Sequence, residues 1–240
     1  MFQCTGDGKY LDTVEQVIYN TVLGSVSLDG ERYFYVNPLE VWPDACEKNP
    51  SKRHVRLVRQ EWYQVACCPQ NTLRTLAGIR EYIYYTKGDT LYVGLYVGGD
   101  AQIPVSDRNI ALHVQTGYPF GNTVDIRIDS EGTFTLALRD PGWSKKTAVF
   151  LNGSRITDCV REKGMICIQR TWQKGDTVTL TLSVTGLRVT EEGWDEETLY
   201  RPFHVTEQKQ ELKAIPYCLW NNRGQGEMAV WIHSSGSEDS

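Results

Sequence analysis

The sequence has no long apolar run, no block of one charge and no clustered histidines. Nowhere do about eighteen apolar residues follow one another, the length a membrane-spanning helix needs. The opening MFQCTGDGKYLD carries neither the basic nor the apolar segment of a secretory signal. A soluble, non-exported chain is expected. Its 30 acidic and 25 basic residues leave a formal charge of −5 without a basic patch, which argues against nucleic acid or an anionic membrane as partner. His54, His113, His204 and His233 are scattered without ligand spacing, and neither a phosphate-cradling glycine loop nor a Ser-His-Asp arrangement can be drawn.

What is present is enough for real cores: 240 residues, 40% of them hydrophobic, the length of one large domain or two small ones. Seven cysteines (Cys4, Cys46, Cys67, Cys68, Cys159, Cys167, Cys218) make an odd number in a chain too large to need disulfide staples, so a reducing, cytoplasmic compartment is expected. The 13 tyrosines and 7 tryptophans suit both sheet cores and carbohydrate-facing surfaces.

The periodicity changes along the chain. Leu11, Val14, Val17, Ile18 and Thr21 recur at helical spacing and predict a helix over residues 9–24. A turn at Leu28-Asp29-Gly30 leads to RYFYVNPLEVW, which reads as a strand or hairpin arm, and residues 43–60 read as a surface loop. Pro69 is suited to a first helical position, and Leu73, Leu76, Ala77, Ile79 and Ile83 predict a helix from Pro69 to Tyr85. From Thr90 the period becomes two. Seven strand-like runs, separated by turn signals such as Asn152-Gly153, predict an antiparallel β-sandwich over residues 90–188. Residues 191–210 read as a linker, and KAIPYCLW with EMAVWIH as a terminal hairpin.

The stretch VACCPQN raises a chemical question. With Pro69 first in the helix, Cys68 is the expected N-cap and both sulfurs lie by unpaired N–H groups and the positive end of the helix dipole, which favours thiolate. Such thiols can serve as nucleophile or metal ligand. Two small side chains buried together, or a redox pair closing a strained vicinal disulfide, are the other readings. Glu15 beside the apolar stripe of the first helix reads as a partly exposed helix glutamate, and Tyr35 as a polar-tipped strand residue.

The ordered series YFYVNPLE, EWYQVACCPQN, GIREYIYYTKGDTLYVGLYVG, LALRDPGW, VFLNG and PYCLWNNRGQGEMAVWI resembles glycoside hydrolase family 127, the bacterial β-L-arabinofuranosidases. The resemblance implies an α+β chain: terminal helices of an (α/α)6-barrel catalytic domain over residues 1–88, a β-sandwich domain over 89–190, and a linker with a terminal hairpin over 191–240. It also implies retaining hydrolysis of terminal β-L-arabinofuranosyl groups by a zinc-bound cysteine thiolate, in place of the usual carboxylate. On the ACCP motif Cys67 takes the nucleophile position, and Cys67 and Cys68 are zinc ligands. Glu15 and Tyr35 fall where the family contacts or supports the nucleophile and sugar. The resemblance places the remaining zinc ligands, a Glu-x-Cys pair, and the glutamate acid/base upstream of this chain's motifs. The expectation is therefore a truncated chain, inactive alone, with a separate N-terminal barrel fragment or a homo-oligomer as partner. The alternative is a noncatalytic carbohydrate-associated module whose cysteines are relics.

Overall fold

The computed structural model describes residues 1–36, 48–52, 54–56, 58–144 and 146–183, and the backbone of four further strand segments at 189–190, 193–194, 203–208 and 211–216. Two units divide the chain. One comprises Met1–Val14 and Gly78–Thr185, and the other Glu15–Ala77 and Gly186–Ser240.

In the first unit, alternating β-branched and aromatic residues build two sheets. The strands are β1 (Tyr84–Lys87), β2 (Thr90–Val93), β3 (Gly99–Val105), β4 (Arg108–Thr116), β5 (Thr123–Ile128), β6 (Gly132–Arg139), β7 (Ala148–Leu151), β8 (Ser154–Ile156), β9 (Val160–Glu162), β10 (Met165–Trp172) and β11 (Thr177–Thr181). One sheet runs β1-β2-β6-β10-β9 and the other β3-β4-β5-β11-β7-β8. Asn152 and Gly153, both at positive φ, make the β7–β8 turn, as their sequence predicts.

The expectation of an antiparallel array needs correction at one pair: β2 runs parallel to β6, with Thr90 opposite Thr135. The chain leaves β2 to build β3, β4 and β5 in the other sheet before returning as β6. A connection of that length permits a parallel return. Strand β3 (GDAQIPV) was not foreseen. Its glycine and proline argue against a central strand, but β3 is an edge, where a proline costs no ladder bond.

The two faces of β6 are buried by different partners. Phe134, Leu136 and Leu138 point one way with Ile166 and Ile168 of β10. Ala137 points the other way and joins Met165, Phe2 and Leu11 in an apolar cluster, with Tyr10, Tyr85, Tyr92 and Cys167 around it. Phe2 comes from helix α1 (Phe2–Thr5) and Leu11 from α2 (Lys9–Gln16), so the first residues cover this sheet. Asp12 of α2 accepts a bond from the buried guanidinium of Arg139 at 2.6 Å and another from the Gly142 N–H at 3.0 Å. Between the two helices, the Gly8 N–H donates to the Lys163 carbonyl at 2.7 Å, and a Cβ on Gly8 would lie 2.6 Å from the Gly164 oxygen. Only glycine permits that approach.

In the second unit, the predicted first helix continues from α2 as a π-helical segment, Val17–Val22, and ends in α3 (Leu23–Ser25). The turn at Ser27–Gly30 closes as expected through the Gly30 N–H and Ser27 carbonyl at 2.9 Å. The strand predicted at RYFYVNPLEVW is reduced to isolated bridges from Tyr33 to Val26 and Gln60, and its later part lies outside the described residues. The Arg59 guanidinium donates to the Gly24 carbonyl and lies 4.8 Å from the Phe34 ring centroid.

The helix predicted from Pro69 to Tyr85 is divided. Helix α4 is Cys67–Ala77 and α5 is Arg80–Ile83, after which Tyr84 turns extended to pair with Val93. The aromatic tail of the apolar stripe thus enters a sheet, a case of tertiary pairing overriding helical period. Backbone ladders join β12 (Val189–Thr190) to β13 (Gly193–Trp194) and β14 (Phe203–Gln208) to β15 (Glu211–Pro216). The stretch read as a linker therefore holds two strands, β13 and β14. The expected hairpin segment KAIPYCLW is paired, where described, with 203–206 upstream, and EMAVWIH lies outside the described residues. Among the described residues no helix is long and apolar enough to cross a membrane.

Candidate functional site

Helix α4 begins at the thiol pair itself, so Cys67 and Cys68 occupy its first turn and Pro69 follows within it. The shift from the expected start costs nothing, because the first four N–H groups of a helix have no intrahelical acceptor and proline's missing donor is not felt there. The Asn71 side-chain amide donates to the Cys67 carbonyl at 2.9 Å, fixing the turn that carries the sulfur.

The two sulfurs are 3.7 Å apart, far beyond the roughly 2.05 Å of a disulfide. Both are free thiols. Two sulfurs each about 2.3 Å from a tetrahedral zinc would sit about 3.8 Å apart, so the pair has the spacing of two corners of such a site. Among the described residues no group of three or more His, Cys, Asp or Glu is placed to hold a metal ion. The thiols fit two ligand positions and do not by themselves complete a zinc site.

The two thiols differ. Cys67 is exposed, whereas Cys68 is half-buried and its S–H donates to the Tyr35 carbonyl at 3.6 Å. Burial pushes the Cys68 thiol above its ordinary pKa, and the hydrogen bond and charge of Cys67 add to the rise. Desolvation and the neighbouring thiol thus act against the thiolate that the helix terminus favours.

Tyr35 is therefore brought to the pair, through its backbone rather than its hydroxyl. Its side chain is 37% exposed. Around its ring stand Tyr63, with centroids 5.8 Å apart, and His54, edge-on at 6.4 Å. Tyr63 was not singled out from the sequence, and His54 was read only as one of the histidines scattered without ligand spacing. Tyr63 lies four residues before Cys67 in the same motif, the one signal that could have marked it, while His54 sits in a polar loop and gives none. Glu15 is 1% exposed, against the expectation of a partly exposed helix glutamate. A carboxylate removed from water to that extent must be partnered, which sets it apart from an ordinary surface residue.

Three family models match in order along the chain: the catalytic domain of glycoside hydrolase family 127 β-L-arabinofuranosidases over residues 1–81, their middle domain over 90–184, and the family's C-terminal domain over 145–233. Glu15, Tyr35, Cys67 and Cys68 all fall in the first. A non-reducing end β-L-arabinofuranosidase from Bifidobacterium longum subsp. longum is 28% identical over 185 residues, 74% of this chain and 27% of the relative. The crystal structure of a family 127 β-L-arabinofuranosidase from Geobacillus stearothermophilus T6 aligns at 39% identity with a TM-score of 0.72, over 90% of this chain and 33% of that one. A second family 127 β-arabinofuranosidase structure, at 24% identity and TM-score 0.75 over 96% of this chain and 46% of that one, shares the fold. The chain thus spans about a quarter of the curated relative and a third of the Geobacillus enzyme. With mixed sheets, few helices and three successive family domains matched, the chain belongs to glycoside hydrolase family 127.

Proposed function

We propose that this chain carries the thiol half of a retaining β-L-arabinofuranosidase site, with Cys67 as nucleophile, Cys67 and Cys68 as two ligands of a zinc ion, and Tyr35 and Glu15 supporting the sugar and the nucleophile. The observation that carries this reading is the asymmetry of the pair: an exposed Cys67 sulfur beside a Cys68 whose S–H is already engaged by the Tyr35 carbonyl. Zinc bound to both sulfurs would hold Cys67 as thiolate at neutral pH. The Cys67 sulfur attacks the anomeric carbon as the glycosidic C–O bond breaks, and the leaving oxygen takes a proton from an acid. Water then attacks the same carbon, the C–S bond breaks, the sulfur leaves as thiolate, and the water's proton passes to the conjugate base of that acid.

The acid/base is not assigned to any described residue, and the remaining zinc ligands are assigned to a partner segment, either a separate N-terminal barrel fragment or a second copy. In this reading the helices of the first 88 residues belong to an (α/α)6 barrel and the two sheets form a β-sandwich. The free thiols suit a reducing compartment such as the cytoplasm. With no acid positioned among the described residues, the isolated chain is expected to lose on the order of a hundredfold or more in rate. The test combines zinc uptake with hydrolysis of a chromogenic β-L-arabinofuranoside. Thiol-dependent zinc binding, lost in both C67S and C68S, with no sugar release by the chain alone, is the expected result. Absence of zinc together with sugar binding that C67S leaves intact would favour a noncatalytic module. Turnover by the isolated chain that C67S abolishes would show that it needs no partner.

A further inference from the structure

We infer that Tyr63 is a positioning residue that decides which of the two adjacent thiols is free to react, an inference that rests on the reading of Cys67 as nucleophile. Neighbouring residues in one helical turn share the same dipole and the same orphan N–H groups, but their side chains point in different directions around the helix axis, so each thiol meets different groups outside α4. The difference comes from the Tyr35 carbonyl, which takes the Cys68 S–H and leaves Cys67 exposed.

What holds that carbonyl in place can be followed residue by residue. Tyr33 is buried, its N–H donates to the Gln60 carbonyl at 2.9 Å, and the Gln60 N–H returns a bond to the Tyr33 carbonyl at 3.0 Å. Phe34 is buried as well, its N–H bonded to the Ser25 carbonyl at 2.9 Å and its ring under the Arg59 guanidinium. Tyr35 is the first residue of this run that is exposed. Its ring meets that of Tyr63, and the same Tyr63 ring packs against the anchored Tyr33 with centroids 5.3 Å apart. Tyr63 therefore ties Tyr35 to a fixed neighbour through its aromatic surface. Aromatic pairs of this kind contribute beyond their buried area. Without the ring, the Tyr35 peptide is free to swing and the Cys68 thiol is released.

The readout is thiol selectivity, which a tyrosine serving only as core filler would not move. The whole chain is labelled briefly with iodoacetamide, and tandem mass spectrometry of the tryptic peptide 60–74 assigns the adduct to Cys67 or Cys68. In the native chain Cys67 is expected to label several-fold faster. Y63F, which keeps the ring, should preserve that ratio, and Y63L should shift it toward one by roughly threefold, the order of a single weak hydrogen bond. Should Y63L fail to show a cooperative melt, Y63M carries the same test, since methionine fills irregular space without a planar face. A folded Y63L or Y63M with the native ratio overturns the role of Tyr63 and leaves Cys67 as nucleophile untouched. A native ratio already near one overturns the reading of Cys67 as the freer thiol, and this inference with it.

Discussion

Substituting Asp12 by asparagine tests whether one carboxylate ties the first helical residues to the sheet behind them. The Arg139 side chain has no solvent exposure, its guanidinium meets Asp12 Oδ1 at 2.6 Å, and the Asp12 side chain is only 23% exposed. Asparagine keeps an oxygen of similar reach for the guanidinium or the Gly142 N–H but removes the charge that faces the buried Arg139 cation. Breaking a buried pair from one side typically costs 3 to 5 kcal/mol, and because water reaches part of Asp12 the lower end, about 3 kcal/mol, is expected here. For a unit of this size that is a fall in Tm of roughly 10 °C. Urea unfolding is followed by tryptophan fluorescence in a variant whose other five tryptophans are replaced by phenylalanine, so that the buried Trp143 and Trp172 report this unit, and guanidinium is avoided because it would screen the pair. D12N combined with R139M, which removes the cation as well, should recover most of the loss. If D12N costs less than about 1 kcal/mol, the range of an exposed pair, or if the double variant is less stable than D12N, the argument from the broken buried pair is wrong.

Two further tests address packing and protonation. Gly8→Ala would push a methyl group into the Gly164 backbone oxygen and should destabilise the first unit by about 1 to 3 kcal/mol in the same urea assay, whereas an unchanged midpoint would mean the helix shifts freely over the β9–β10 hairpin. Burial pushes the Tyr84 hydroxyl up to about 12 from an ordinary value of 10.0. The unfolded chain therefore loses that proton first, so the stabilisation is fully present below pH 10 and falls away as pH rises toward 12. Unfolding midpoints measured from pH 9 to 11.5 should decline, and Y84F should flatten part of that decline; an identical slope in Y84F would refute the assignment.

Much of the fold was legible because its signals are local. The alternation in IALHVQT, TVDIRID and TFTLALRD marked strands that are all present, and Asn152-Gly153 marked its own turn through the positive φ it accepts. The parallel pairing of β2 with β6 was not legible, since it depends on which sheet the intervening strands join. Helix α4 was foreseen, but not its end, because Tyr84 and Tyr85 carry helical spacing and strand propensity together and only their partners Val93 and Tyr92 decide. At the candidate site the thiols announced themselves by sequence. Their inequality did not: it rests on a backbone carbonyl 33 positions away, and carbonyls carry no sequence signature. The burial of Glu15 was equally hidden, because periodicity placed it beside the apolar stripe rather than within it.

The membership of residues 1–14 in the same unit as residues 78–185 makes the stretch from Glu15 to Ala77 an excursion whose two ends must be brought together before that unit can fold. Closing it is a cost in chain entropy that grows only logarithmically, about 0.6 kcal/mol for each doubling of its length, so the first unit is nearly indifferent to how long the excursion is. Its folding rate is not indifferent, since contacts such as Asp12 with Arg139 are distant in sequence and form late. A protease cut within the excursion would therefore leave the first fourteen residues held to the sheet without a covalent link, through contacts that include Phe2, Tyr10, Leu11, Asp12 and the Gly8 N–H, in a noncovalent complex of two fragments.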